Sequence, residues 1–124
     1  MVTLVVPDYD TGIDFFTRVV GFDLIEDTDL GGGKRWVVVG SASGARLLLA
    51  RAANDAQTAA IGRQCGGRVG FFLHTVDFRA TYDSLVAEGV AFEAPPRTEP
   101  YGLVAVFADP FGNRWDLIED KAAA

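Results

Sequence analysis

The sequence predicts an α+β fold made of two copies of one βαβββ module, and two observations carry that prediction. Apolar spacing runs in the order strand, helix, strand, strand, strand, and then runs through the same order again. The landmarks of the two passes also keep a constant offset. Asp8 and Asp77, Ile13 and Tyr82, and Phe16 and Leu85 stand 69 residues apart, while Gly21 and Gly89, Gly44 and Gly112, and Arg46 and Arg114 stand 68 apart. Neither copy can bury both faces of its sheet alone, so the copies are expected to pair and enclose something.

In the first pass VTLVV (residues 2–6) reads as a short strand closed by Pro7 and Asp8. Ile13, Phe16 and Val20 then recur at helical spacing, with Asp10 or Thr11 as candidate cap and Gly21 as the stop. FDLIEDTD, KRWVVVG and ARLLLAR follow as strands, separated by GGG at 31–33 and by SASG. Residues 52–67, AANDAQTAAIGRQCGG, lack a period and read as a linker or partly helical crossover between modules at about 1–51 and 68–120. In the second pass VGFFLHTV is a strand and Asp77 a natural helix cap. Phe78, Tyr82 and Leu85 share a helical face, and Gly89 ends the helix. VAFEA, LVAVFA and NRWDLIE are the remaining strands, broken by Pro95, Pro96 and DPFG.

Composition bounds the function. The chain of 124 residues is 49% hydrophobic and 23% charged, which excludes intrinsic disorder and predicts a real core. Eleven basic against seventeen acidic residues give a net charge of −6, which repels a nucleic-acid backbone and an anionic membrane surface. One histidine and one cysteine exclude a zinc finger or a disulfide framework within one chain. Cys65, a lone thiol in a Gly-flanked loop, suits a reducing cytoplasm, and no apolar run is long enough for a membrane span. Other catalytic constellations are missing: there is no GxSxG elbow, and GGG lacks the helix and the downstream Lys-Ser/Thr of a phosphate loop.

The segments VPDYDTGIDFFTRVVGFDL, VDFRATYDSLVAEGV and FADPFGNRWDLIED together resemble the vicinal oxygen chelate superfamily. That superfamily includes glyoxalase I, bleomycin-resistance proteins, extradiol dioxygenases, fosfomycin-resistance thiol transferases and methylmalonyl-CoA epimerase. The resemblance spans essentially the whole chain. It implies the glyoxalase/bleomycin-resistance fold, in which each module is a curled mixed sheet and two modules form a cup, and it identifies architecture better than reaction. It further implies four metal-ligand places: Met1 or Val2 and Phe71 in the first strands, Leu48 and Asp116 in the last. Of these only Asp116 carries a donor, so the expectation is a cup with no metal and no other cofactor.

Asp116 has two readings: a carboxylate that orients a ligand, or a strand residue satisfied by a neighbouring arginine or amide. Period two places Phe71, Leu73 and Thr75 on one face and Phe72 and His74 on the other. If Phe71 points into the cup, His74 faces the helix; a ligand or acid–base role for it needs a register slip of one. Arg114 shares the parity of Asp116, as its charged partner or as a second anchor, while Trp115 has core parity. Tyr101 lies at a turn, packed under the loop or donating to a ligand, and Trp36 lines a flat apolar wall or an interface. The ligand-binding set is therefore Trp36, Leu48, Phe71, Leu73, Tyr101, Arg114 and Asp116, with Asp116, His74 and Tyr101 as catalytic candidates.

Three functions follow. The first is a metal-independent binder of a small molecule, cationic or aromatic given the −6 charge, like the drug-sequestering members of the superfamily. The second is a metal-dependent or acid–base lyase, isomerase or dioxygenase-like enzyme, and the third a module whose cup is filled by its own side chains. The resemblance also implies a homodimer.

Overall fold

The computed structural model describes residues 1–120, which form two compact units, Met1–Gln64 and Cys65 onward. Each unit carries a four-stranded mixed sheet, as the glyoxalase/bleomycin-resistance fold requires. Among the described residues no helix is long and apolar enough to cross a membrane.

In the first unit β1 (Val2–Val6) leads into α1 (Tyr9–Asp14), whose last turn widens into a π-helical turn, Phe15–Val19. The cap is Asp8, not Asp10 or Thr11: its carboxylate accepts from the Thr11 amide at 2.8 Å and the Thr11 hydroxyl at 2.7 Å. Asp8 can do this because it is extended while Tyr9 already begins the helix. Strands β2 (Asp23–Gly31), β3 (Lys34–Gly40) and β4 (Arg46–Arg51) follow, then a short helix, α2 (Asp55–Ala60), within the crossover. The sheet order is β1-β4-β3-β2, with β1 parallel to β4 and the other pairs antiparallel. Leu4, Val6, Val37, Val39 and Leu49 are fully buried, together with Phe16 from the π turn. Helix α1 comes so close to the sheet that a Cβ on Gly12 would stand 3.0 Å from Leu49 Cδ1. Strand β1 is an edge, and the Gln64 side chain occupies part of it. Its Oε1 accepts from the Val5 amide at 2.6 Å, and its Nε2 donates to the Thr3 carbonyl at 2.9 Å, as a neighbouring strand would.

The second unit repeats the plan. β5 (Val69–Thr75) runs to α3 (Phe78–Ala87), capped by Asp77, which accepts from the Ala80 amide at 3.1 Å. β6 (Arg97–Glu99), β7 (Gly102–Ala108) and β8 (Arg114–Glu119) complete the order β5-β8-β7-β6. VAFEA does not become the expected strand. It reduces to a bridge between Phe92 and Phe107, with the Glu93 amide donating to Val106 O, because Pro95 and Pro96 have no amide hydrogen to continue the ladder; pairing resumes at Arg97.

The core of this unit is aromatic. Rings stack or tilt in a row from α3 to β5: Phe78, Tyr82, Phe92, Phe107, Trp115 and Phe71, with successive centroids 4.4 to 5.9 Å apart. The β7–β8 turn that aligns this row is built on Asp109, which is 4% exposed. Its Oδ1 accepts from the Phe111 and Asn113 amides at 3.0 Å each, and its Oδ2 accepts from Asn113 Nδ2 at 2.9 Å and Trp115 Nε1 at 3.1 Å.

Removing Asp109 takes the carboxylate acceptor away from buried donors on Asn113 and Trp115. Asp109→Ala is therefore expected to cost about 3 kcal/mol or more in urea unfolding, against about 1 kcal/mol for the exposed cap change Asp8→Ala. Equal losses would show that the turn is not a structural centre.

Candidate functional site

Strand register decides which side chains share the face of Asp116. Between Val69 and Phe71 the β5–β8 ladder slips by one residue, at Gly70. A Cβ on Gly70 would meet the Cys65 side chain, so a larger residue at the bulge would require that exposed thiol to turn aside. Beyond the bulge Phe71 pairs with Trp115, Phe72 with Asp116, Leu73 with Leu117 and His74 with Ile118. The alternation holds, but it is Phe72 and His74, not Phe71 and Leu73, that share the face of Asp116. Phe71 stacks on Trp115 at 4.9 Å and Leu73 sits opposite buried Leu117, both on the α3 side; Phe72 and His74 share the face of Asp116 and are exposed. In the first unit Thr3, not Val2, pairs with Leu48, and Met1 stands before β1.

Asp116 is a carboxylate under electrostatic strain. Its Oδ1 is buried and meets no hydrogen-bond donor among the described residues. Burial pushes its pKa up, and the nearby Arg97 and Arg114 guanidinium groups offset this only in part. Both arginines are engaged elsewhere. Arg114, on the Asp116 face as parity predicts, grips Glu93 with two bonds of 2.6 and 2.8 Å and donates to Gly67 O at 3.1 Å; Arg97 donates to Glu99 at 2.8 Å. The Arg114 fork holds the Glu93 carboxyl below its ordinary range. Tyr101 is exposed at the β6–β7 turn.

The first unit holds a cavity of about 570 Å³ whose walls come wholly from residues 3–57; a smaller one of about 370 Å³, lined by Asp27, Asp29 and Arg35, adjoins it at the β2–β3 turn. Thr3, Trp36, Leu48 and Ala50 contribute to the larger cavity from the face turned away from α1, Tyr9, Arg35, Leu49 and Arg51 from the α1 side, and Leu30 and Gln57 also border it. Trp36 is 37% exposed and available to a guest. Phe71 and Asp116, expected beside Trp36, do not line it. Its charged lining is Lys34, Arg35 and Arg51, all cationic, so the net charge of the chain does not describe this site. Arg35 is held by Asp27 at 2.7 Å and Asp10 at 3.0 Å, which raises its pKa further and lowers that of Asp27. The Tyr9 ring lies beside both Arg35 and Arg51, 5.2 and 5.6 Å from their guanidinium carbons.

No group of three or more His, Cys, Asp or Glu residues among the described ones is arranged to hold a metal ion. At the paired strand positions the first unit offers Thr3 and Leu48 and the second Phe72 and Asp116, so each pair contains a single oxygen-bearing side chain, fewer donors than a divalent transition ion takes.

The sequence profile of the Glyoxalase/Bleomycin resistance protein/Dioxygenase superfamily matches residues 1–117. An uncharacterized protein of Shewanella frigidimarina (strain NCIMB 400) is 49% identical over 121 residues, 95% of this chain and 90% of its own. Among solved structures, UcmS2 is 30% identical with a TM-score of 0.79, covering 96% of this chain and 95% of its own. TnmS3, an antibiotic binding protein from Streptomyces sp. CB03234, is 30% identical with a TM-score of 0.69, covering 96% and 93%.

Because the Asp116 pKa is raised in the folded chain, ionising it opposes folding. That penalty is absent below the carboxyl's unfolded pKa and grows as pH rises through it. Asp116→Asn should therefore melt above the wild type at pH 7, with the gap closing toward pH 3. A gap that widens on acidification would mean that Asp116 is held as a stabilising anion.

Proposed function

The chain belongs to the Glyoxalase/Bleomycin resistance protein/Dioxygenase superfamily, and from that premise we propose that it binds a small, flat organic molecule and does so without the superfamily's metal. The observation that carries this reading is the 570 Å³ cavity walled by Trp36 and Leu48, which is of ligand size and combines an apolar wall with a few polar groups. The antibiotic-binding activity of TnmS3, 30% identical over nearly the whole chain, supports it. The donor set supports the metal-free part, since Leu48 and Phe72 cannot replace ligating groups. A pair of chains in the cytoplasm is the working form in this reading.

A second reading, an acid–base lyase or isomerase, is favoured by one observation: the buried Oδ1 of Asp116, unbonded among the described residues, on the same face as His74. A carboxyl whose pKa is raised by burial holds its proton more firmly than an ordinary one, which suits it to proton transfer. Loss of turnover in folded Asp116→Asn would support this reading, and unchanged turnover would remove Asp116 from it.

The chain's two tryptophans make binding measurable, because Trp36 borders the cavity while Trp115 is buried among Phe71 and Phe107. Flat aromatic probes are expected to quench Trp36, and Trp36→Ala to weaken them about tenfold through lost ring contact. Exhaustive dialysis against a chelator is expected to leave the affinity unchanged. A tenfold loss after dialysis, or none in Trp36→Ala, would contradict the reading.

A further inference from the structure

We propose that the ligand of the first-unit cavity is an organic anion, an aromatic or other flat apolar carboxylate, whose charge is taken by Arg51 and Lys34 while its ring lies against Trp36. The proposal rests on the small-molecule reading above and names the class of guest.

The charges carry it. Seventeen acidic residues outnumber eleven basic ones in the chain, yet none of the residues lining this cavity is acidic and three are basic. Their states differ. Arg35 is neutralised by Asp10 and Asp27, donating to them at 2.7 to 3.1 Å. Lys34 and Arg51 have no ion pair with a carboxylate among the described residues. Arg51 is not loose, however: it lies 5.6 Å from the Tyr9 ring centre, and its Nη2 stands 3.3 Å from where a Cβ on Gly33 would be. The Tyr9 hydroxyl in turn accepts from the Arg35 amide at 3.1 Å, which ties the ring to the start of β3. The Arg51 guanidinium, without a carboxylate partner among the described residues, thus lies between the Tyr9 ring and the β2–β3 turn at a cavity wall.

Arginine donates in a fixed fork that matches a carboxylate, and placing it beforehand lowers the entropy lost on binding. Lys34 adds a second positive charge at the start of β3, and Gln57 a neutral amide donor. The opposite wall is apolar through Trp36, Leu30 and Leu48. A guest with a flat apolar body and one carboxylate satisfies both walls. A cationic guest would meet three like charges there, two of them without compensation.

The test uses matched probes at low salt, read by Trp36 quenching and by calorimetry. Benzoate, 2-naphthoate and anthracene-2-carboxylate are each compared with the corresponding primary amide and the corresponding arylmethylammonium. The expected result is that at least one carboxylate binds about tenfold more tightly than its amide, and more tightly still than its ammonium. Arg51→Gln and Lys34→Gln should each bring the carboxylate-to-amide ratio toward one, and so should raising the salt concentration. Both side chains are exposed, and an unchanged melting temperature checks that the variants fold. Amides or ammonium compounds binding as well as the carboxylates, with Trp36→Ala still weakening them, would overturn the anionic class and leave the small-molecule reading standing. No binding by any of the nine probes would overturn both.

Discussion

In each unit one α-helix, α1 or α3, packs on one face of a four-stranded sheet and the opposite face is left to function; in the first unit the short α2 borders the cavity through Gln57. Everything said about sites in this chain depends on that asymmetry. Leu4, Val6, Leu47 and Leu49 fill the α1 side of the first unit, which sends Thr3, Leu48, Ala50 and Trp36 to the opposite face. The aromatic row from Phe78 to Phe71 fills the α3 side of the second and sends Phe72, His74 and Asp116 away from it. Because side chains alternate strictly, one residue of register decides which set faces which way.

The two units use this plan differently. In the first, the apolar wall on the uncovered face, Trp36 and Leu48, meets cations that reach the same cavity from the α1 side, Arg35 and Arg51 beside Tyr9. In the second, the uncovered face carries a carboxylate whose Oδ1 is buried without a donor among the described residues while both nearby arginines are spent on Glu93 and Glu99. The duplicated fold therefore supports two chemically unlike surfaces. That divergence is consistent with a family in which the architecture persists while the reaction changes.

Much of the fold was legible in the sequence, and the reasons are local. VTLVV, KRWVVVG and LVAVFA are β-rich runs bounded by turn residues, and they became strands within a residue of the expected ends. Pro95 and Pro96 were read as breakers, but their effect on VAFEA was underestimated. The face of His74 hangs on which residue of the first strand meets Asp116: the resemblance implies Val2 and Phe71, whereas Thr3 and Phe72 pair with Leu48 and Asp116, one residue on in both units, an offset that alternation alone does not fix. Asp109 looked like an ordinary turn residue, since its bonds to Asn113 and Trp115 exist only once β7 and β8 turn back. The cavity's charge was illegible for a similar reason. It depends on Arg35 being neutralised by Asp10 and Asp27, partners 25 and 8 residues away, while Lys34 and Arg51 are not. Net charge is a sum over the surface, whereas a binding site responds to what remains unpaired at one wall.

The most direct measurement is a crystal structure of the chain with the aromatic carboxylate that binds it best. The account predicts the ring within van der Waals contact of Trp36 in the first unit and carboxylate oxygens within about 3 Å of the Arg51 guanidinium. A ligand seated on the face of Phe72, His74 and Asp116, with the Trp36 cavity containing only water, would contradict it.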